Sequence, residues 1–170
     1  MRMAFFMSQG VIKLSEDVNA YMQRALDLAK QALAVNEVPI GAVIIKEGEV
    51  IAEAFNSCES DKSPLAHAEI KAMQLASQKL GNWRLNDCEL YVTVEPCPMC
   101  LGAIIQARVT KLYIGCFVPK RIPKDSFFSS LKGLNEIFDN NHHLEIHGGT
   151  LEDECANLIK SFFKNKRTKI

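Results

Sequence analysis

The stretch CELYVTVEPCPMCLGAIIQARVTKLYIGC, residues 88–116, decides the fold. Glu89 to Val94 is a short run with alternating and β-branched apolar residues, which reads as a strand. Pro96 opens a helix that runs to about Gln106, because proline is tolerated in a first helical turn. Lys111 to Gly115 returns as a second strand. A strand–helix–strand passage of this length places its two strands side by side and parallel. Upstream, Ile40 to Ile45 and Val50 to Phe55 flank a Glu47-Gly48 turn and read as a hairpin. Before them, Val18, Met22, Ala25, Ala29 and Ala32 recur at helical spacing, giving a helix over 16–34 with Ser15 as its cap. Asn36 and Pro39 end it, and Asn56 to Pro64 is loop. Residues 67–80 form a helix closed by Gly81. Leu144 to Ile146 is a short strand and Leu151 to Lys164 a final helix with Cys155, Leu158, Ile159 and Phe162 on one face. Residues 116–142 hold short helical stretches at most. Five strands and four helices in this order predict an α/β fold, a three-layer α/β/α sandwich around a central mixed sheet.

Composition supports one such domain. The chain has 170 residues, 48% of them apolar and 24% charged, so it can bury a sizeable core and is not disordered throughout. Residues 1–14 are expected to be a flexible N-terminal extension and residues 15–170 a single domain. No apolar run approaches the ~20 residues of a spanning helix, which argues against membrane insertion. The 20 basic and 20 acidic residues balance, which excludes a uniformly basic nucleic-acid binder but permits local basic patches. One such patch is Lys120, Arg121 and Lys124; another is Lys160, Lys164, Lys166, Arg167 and Lys169 near the C-terminus. The six cysteines are Cys58, Cys88, Cys97, Cys100, Cys116 and Cys155. No secretory signal precedes them, so a cytoplasmic location is expected, where paired cysteines hold metal more often than they form disulfides.

Two motifs carry the chemistry. His67-Ala68-Glu69 begins one helix, and Pro96-Cys97-Pro98-Met99-Cys100 begins another. Cysteines at i and i+3 share a helix face and can point at one ion. A helix N-terminus stabilises thiolates, the form that binds metal. His67, Cys97 and Cys100 together supply three ligands for a tetrahedral zinc and leave the fourth position for water. Glu69 is two residues from His67, within reach of that water without being a ligand, and so is placed to shuttle protons. Zn²⁺ with two thiolates is formally neutral and acidifies its water less than an all-histidine site does, which makes a neighbouring carboxylate more useful. Cys58, Cys88, Cys116 and Cys155 are expected to be small core hydrophobes, His142 and His143 loop residues, and His147 a strand-end residue.

The pattern H-x-E followed by P-C-x-x-C resembles that of the zinc nucleobase deaminases, of cytidine deaminase-like fold. Further strings are similar to the tRNA-specific adenosine deaminases: Glu37-Val38-Pro39-Ile40-Gly41-Ala42, Asn56, Ala66 to Ile70, Asn82-Trp83-Arg84-Leu85, Leu90 to Thr93, Glu95-Pro96-Cys97, Asp153 to Ala156 and Phe162-Phe163. The resemblance runs from about residue 16 to 167. It implies conversion of adenosine to inosine at the wobble position of tRNA, one zinc per chain, an anticodon stem-loop as partner and a homodimer. It further implies metal ligation by His67, Cys97 and Cys100, proton transfer by Glu69, and contact with the extruded base by Asn56, Val38 and Ala68.

One stretch departs from that pattern. After Tyr113-Ile114-Gly115 the family usually continues with a small residue, an acidic one and a lysine; here the chain reads Cys116-Phe117-Val118-Pro119-Lys120. A zinc deaminase of a free base or nucleoside, of guanine or cytosine type, is therefore the alternative. A catalytically silent RNA-binding subunit with a structural zinc is a third reading, against which the intact Glu69 and the lack of a fourth ligand both count.

Overall fold

A computed structural model describes residues 13–117 and 143–167, with side chains from residue 18 onward. Helix α1 spans Lys13–Ala34, β1 Gly41–Lys46, β2 Glu49–Phe55, α2 Ala68–Leu80, β3 Cys88–Val94, α3 Pro98–Gln106, β4 Lys111–Cys116, β5 Glu145–Gly148 and α4 Glu152–Arg167. Strand order in the sheet is β2-β1-β3-β4-β5. The first two junctions are antiparallel and the last two parallel, so the sheet is mixed, as the strand–helix–strand passage predicts. Glu47 and Gly48 form the two-residue turn between β1 and β2, both at positive φ (54° and 79°), the geometry that matches the twist of a hairpin.

Side-chain alternation sorts the helices onto the two faces. A Cβ on Gly41 would lie 2.0 Å from the Ala25 carbonyl oxygen, so β1 touches α1 there with no room for a side chain. A Cβ on Gly115 would lie 2.4 Å from the Cys155 sulfur, so β4 meets α4 in the same way. Helices α1 and α4 therefore share one face, and α2 packs on the other against β1 and β2, beside α3. Between the layers lie Ile44, Leu90, Val92, Leu112 and Ile114 from the sheet and Met22, Ala25, Ala72, Ala76, Leu101, Ile104 and Ile105 from the helices, all at most 1% exposed. Burying each of the larger ones stabilises the fold by roughly 1.5–3 kcal/mol. On the α1 side Tyr91, Tyr113 and His147 come into register across β3, β4 and β5 and stack at 4.4 and 4.6 Å between ring centroids.

Several element ends differ from the sequence expectation, most by one residue and β5 by two at its end (Gly148 rather than Ile146), and the three largest helix differences are at α1, α3 and α4. Helix α1 begins at Lys13, so Ser15 is inside it rather than its cap. Helix α3 begins at Pro98 rather than Pro96, with Cys97 as the flanking cap residue. Helix α4 continues to Arg167. Its basic last turn favours that extension by opposing the negative end of the helix dipole. The cluster Lys120, Arg121 and Lys124, His142, Lys169 and most of the stretch 116–142 lie outside the described residues.

Candidate active site

The register puts the ends of several elements together. Gly41 pairs with Phe55, Ala42 with Val92, and Val94 with Cys116. The start of β1, the end of β2 and the ends of β3 and β4 therefore form one edge of the sheet. The loops leaving that edge carry Val38, Asn56, His67 and Cys97.

Helices α2 and α3 both start there, and each begins on a residue that local preference disfavours. His67 is the N-cap of α2 (φ −72°, ψ 149°) and Cys97 the N-cap of α3 (φ −71°, ψ 167°). Serine, threonine, aspartate or asparagine would normally occupy such positions and cap the helix with a side-chain oxygen. Neither His67 nor Cys97 makes a capping side-chain hydrogen bond. Their backbones do the work of a cap: the His67 carbonyl accepts from the Lys71 N–H at 3.0 Å and the Cys97 carbonyl from the Leu101 N–H at 2.8 Å. Their side chains stay available to each other. The His67 Nδ1 is 3.7 Å from the Cys97 sulfur and 3.4 Å from the Cys100 sulfur, and the three ligand atoms lie within 4.8 Å of one another. Among the described residues this is the one such group of three or more His, Cys, Asp or Glu ligands.

The two sulfurs behave oppositely. The Cys100 thiol hydrogen-bonds the Cys97 sulfur and holds it down at about 5; the nearby N–H groups of Cys100 and Met99 and the His67 ring act in the same direction, against burial. Cys100 itself is pushed up, by that same hydrogen bond and by burial. Without metal the pair thus keeps one proton between two sulfurs, and a cation displaces it. Two sulfurs and one imidazole nitrogen at these separations fit a single tetrahedral zinc with one position open.

Glu69, in the first turn of α2, is 3% exposed. Its Oε2 has no hydrogen-bond partner among the described residues. Burial raises its pKa above the ordinary carboxylate range, more than the backbone N–H and the nearby His67 lower it. Cys100 and Cys97 both act on this carboxyl group, so Glu69 shares the space of the sulfur pair. Ala68, between ligand and carboxylate, is fully buried, and Val38 is partly buried against the core. Asn56 follows β2 and is 5% exposed, with its N–H donating to the Ile40 carbonyl at 3.0 Å.

Sequence reasoning did not single out Glu37. It is 1% exposed, and its carboxylate accepts from the Asn56 Nδ2 at 3.2 Å, the Glu59 N–H at 3.3 Å, and the Ser60 N–H and Oγ at 2.7 and 2.8 Å. Burial works to raise its pKa, yet the Ser60 and Glu59 hydrogen bonds prevail and hold it below the ordinary range. The other side of the same loop is tied by Lys71, whose ammonium bonds the Ser57 hydroxyl at 2.5 Å and Asp61 at 2.9 Å. Cys88, Cys116 and Cys155 are buried core residues as expected; Cys58 is half-buried, its thiol 3.4 Å from the Asn56 Oδ1.

A mixed sheet that gathers an imidazole, two thiols and a buried carboxyl group at paired helix starts has the form of a hydrolytic deaminase. The family model of MafB19-like deaminases matches residues 16–167. A tRNA-specific adenosine deaminase of Bacillus subtilis (strain 168) is 43% identical over 149 residues, covering 88% of this chain and 90% of the relative. A structure from a study of A-to-I editing by tRNA:A34 deaminases at the wobble position superposes with a TM-score of 0.71 at 37% identity, covering 82% of this chain and 98% of that one. A guanine deaminase from Bacillus subtilis aligns at 41% identity with a TM-score of 0.56, over 58% of this chain and 63% of that one. The chain belongs to the MafB19-like deaminases, and among them to the tRNA-specific adenosine deaminases.

Proposed function

We propose that the protein converts adenosine to inosine at the wobble position of a tRNA anticodon, with one zinc held by His67, Cys97 and Cys100 and with Glu69 as the catalytic acid–base. The carrying observation is the buried Glu69 oxygen without a partner beside the three-ligand cluster. An unpaired buried carboxylate oxygen costs stability. A site that keeps one has a proton to move.

When bound, zinc supplies the Lewis acidity that makes the attacking water nucleophilic near neutral pH. Glu69 takes a proton from that water and gives it to the ring nitrogen next to C6. A second transfer through the same carboxylate protonates the amino group, which leaves as ammonia. Water and adenosine are consumed, and inosine and ammonia are formed. Asn56 holds the extruded base by its edge, and Val38 and the Ala68 backbone bound the pocket that receives it.

Four exposed basic residues of α4, Lys160, Lys164, Lys166 and Arg167, suit the phosphates of an anticodon stem-loop. A homodimer is what the resemblance implies, and the groove between α2 and α3, lined by Ile70, Met73, Gln74, Ser77, Gln78, Ala103 and Ala107, is a surface it could use. No described helix is long and apolar enough to cross a membrane. A cytoplasmic location is the reading that suits a tRNA substrate.

Nucleoside analysis of an anticodon stem-loop before and after incubation tests the proposal. New inosine at the wobble position is expected; none, with metal bound and the protein folded, contradicts it. The likeness to a guanine deaminase and the departure at residues 116–125 favour a second reading, a free nucleobase as substrate. Ammonia release from free guanine or cytosine but not from the stem-loop selects it.

A further inference from the structure

We propose that Glu37 is a positioning residue that fixes which end of the Asn56 amide faces the substrate, and thereby sets the hydrogen-bond polarity that the pocket offers a purine. This rests on the reading of Asn56 as a base contact.

An asparagine amide has two nearly isosteric orientations, one with oxygen and nitrogen exchanged. Its partners choose between them. An ionised carboxylate only accepts hydrogen bonds. With the Glu37 Oε2 3.2 Å away, the Asn56 NH₂ is forced toward Glu37 and its Oδ1 away from it. The Cys58 thiol donates to that Oδ1 at 3.4 Å, which is consistent with the same orientation. Glu37 cannot turn to relax the choice. Its other oxygen is committed to the Ser60 N–H and hydroxyl, and its Oε2 also accepts from the Glu59 N–H. Four donors on one carboxylate, at 1% exposure, keep it charged and fixed. The Asn56 backbone is equally fixed by its bond to Ile40. One N–H of the NH₂ is used on Glu37, so the second N–H and the remaining capacity of Oδ1 are what a base can find.

Glu37→Gln separates orientation from scaffolding. A glutamine oxygen still accepts from Ser60, which keeps the loop. Its NH₂ then faces two donors, Asn56 Nδ2 and the Glu59 N–H. Turning the Asn56 amide over relieves the first clash and inverts the polarity shown to the base. Glu37→Asp retains an acceptor-only group at shorter reach.

The test is a double-mutant cycle on zinc-loaded protein with Glu37→Gln, Asn56→Ala and both, measuring kcat/KM on the anticodon stem-loop and on free guanine. Metal content and melting temperature are recorded for every variant. Glu37→Gln is expected to lower kcat/KM about tenfold or more with metal content unchanged, Glu37→Asp to recover part of it, and Glu37→Gln to add almost nothing in the Asn56→Ala background. Full multiplication of the two losses overturns the proposal, because a structural carboxylate would act independently of Asn56. A readout without turnover is the side-chain amide NMR signal of Asn56, identified by its loss in Asn56→Ala. It is expected to move on Glu37→Gln and to stay near its wild-type position in Glu37→Asp. An unmoved signal in Glu37→Gln also overturns the proposal. Wild-type protein inert on RNA and free base alike would defeat the deaminase reading, while the amide signal still decides the role of Glu37.

Discussion

Glu37 and Glu69 are both glutamates, both at the same edge of the sheet and both almost fully buried, at 1% and 3% exposure. Their surroundings drive them in opposite directions. Glu37 accepts four hydrogen bonds and stays below the ordinary carboxylate range although burial pushes it up. Glu69 has an oxygen without a partner among the described residues, and burial raises its pKa. The difference teaches that burial alone does not decide whether a carboxylate is a strut or a proton carrier. The supply of donors does. At Glu37 the loop 56–66 wraps its amides around the group. At Glu69 the neighbours are sulfurs and an imidazole that converge on one point.

The largest effect should come from Glu69→Gln, which keeps shape and burial but cannot exchange a proton. It is expected to lower kcat by at least ~10³-fold while zinc content stays at one per chain, measured by inosine formation and elemental analysis. Activity near wild type would erase the distinction between the two glutamates. Cys97→Ser removes the lower-pKa sulfur of the site and is expected to drop bound zinc well below one per chain, with turnover lost in proportion. Full metal retention in that variant would show that the cluster is not the ligand set.

Stability should separate the glutamates by sign. Glu37→Ala leaves the Ser60, Glu59 and Asn56 donors without an acceptor and is expected to cost about 2–4 kcal/mol in denaturant unfolding. Glu69→Gln removes the charge of a buried carboxyl group without changing its shape and is expected to leave metal-free stability unchanged or slightly raised. Equal losses in both would break the comparison.

The pH dependence follows from Glu37. A carboxylate whose folded pKa is lowered stabilises the fold fully above its unfolded value and loses that contribution as pH falls through the folded value. The stability advantage of the wild type over Glu37→Gln is thus expected to be constant near neutrality. It should shrink once pH drops below about 4. Asp61, whose charge also faces Glu37 and opposes its ionisation, is held low in turn by Lys71 and Ser57, so its own titration falls in the same acid range. The smallest effect is expected for Lys71→Met. Its ion pair with Asp61 is partly exposed, and such pairs contribute at most ~1 kcal/mol.

The gathering of His67, Cys97 and Cys100 was legible because its signal is local. His67 with Glu69, and Cys97 with Cys100, are short spacings in which each residue type has a chemical reason to be present. The parallel β3–α3–β4 unit was legible because apolar runs, a proline and two strand-length segments alternate without ambiguity. Asn56 could be singled out only by resemblance, since an asparagine after a strand has many uses. Glu37 was not legible as a functional group. The three residues that donate to it are 19 to 23 positions away and lie on a loop with no periodicity. The sequence puts the start of α3 two residues early because Pro96 and Pro98 both suit a first turn; the extended backbone of Cys97 decides for Pro98. That displacement matters for the site. As a cap rather than a helical residue, Cys97 turns its sulfur toward His67.

The most direct measurement is deamination of an adenosine-34 anticodon stem-loop by zinc-loaded protein in ¹⁸O-labelled water, followed by mass analysis of the nucleosides. The predicted result is inosine with one labelled oxygen at position 6 and one ammonia released per inosine, both absent with Glu69→Gln. No inosine, or inosine formed without the label, would contradict hydrolysis at this site.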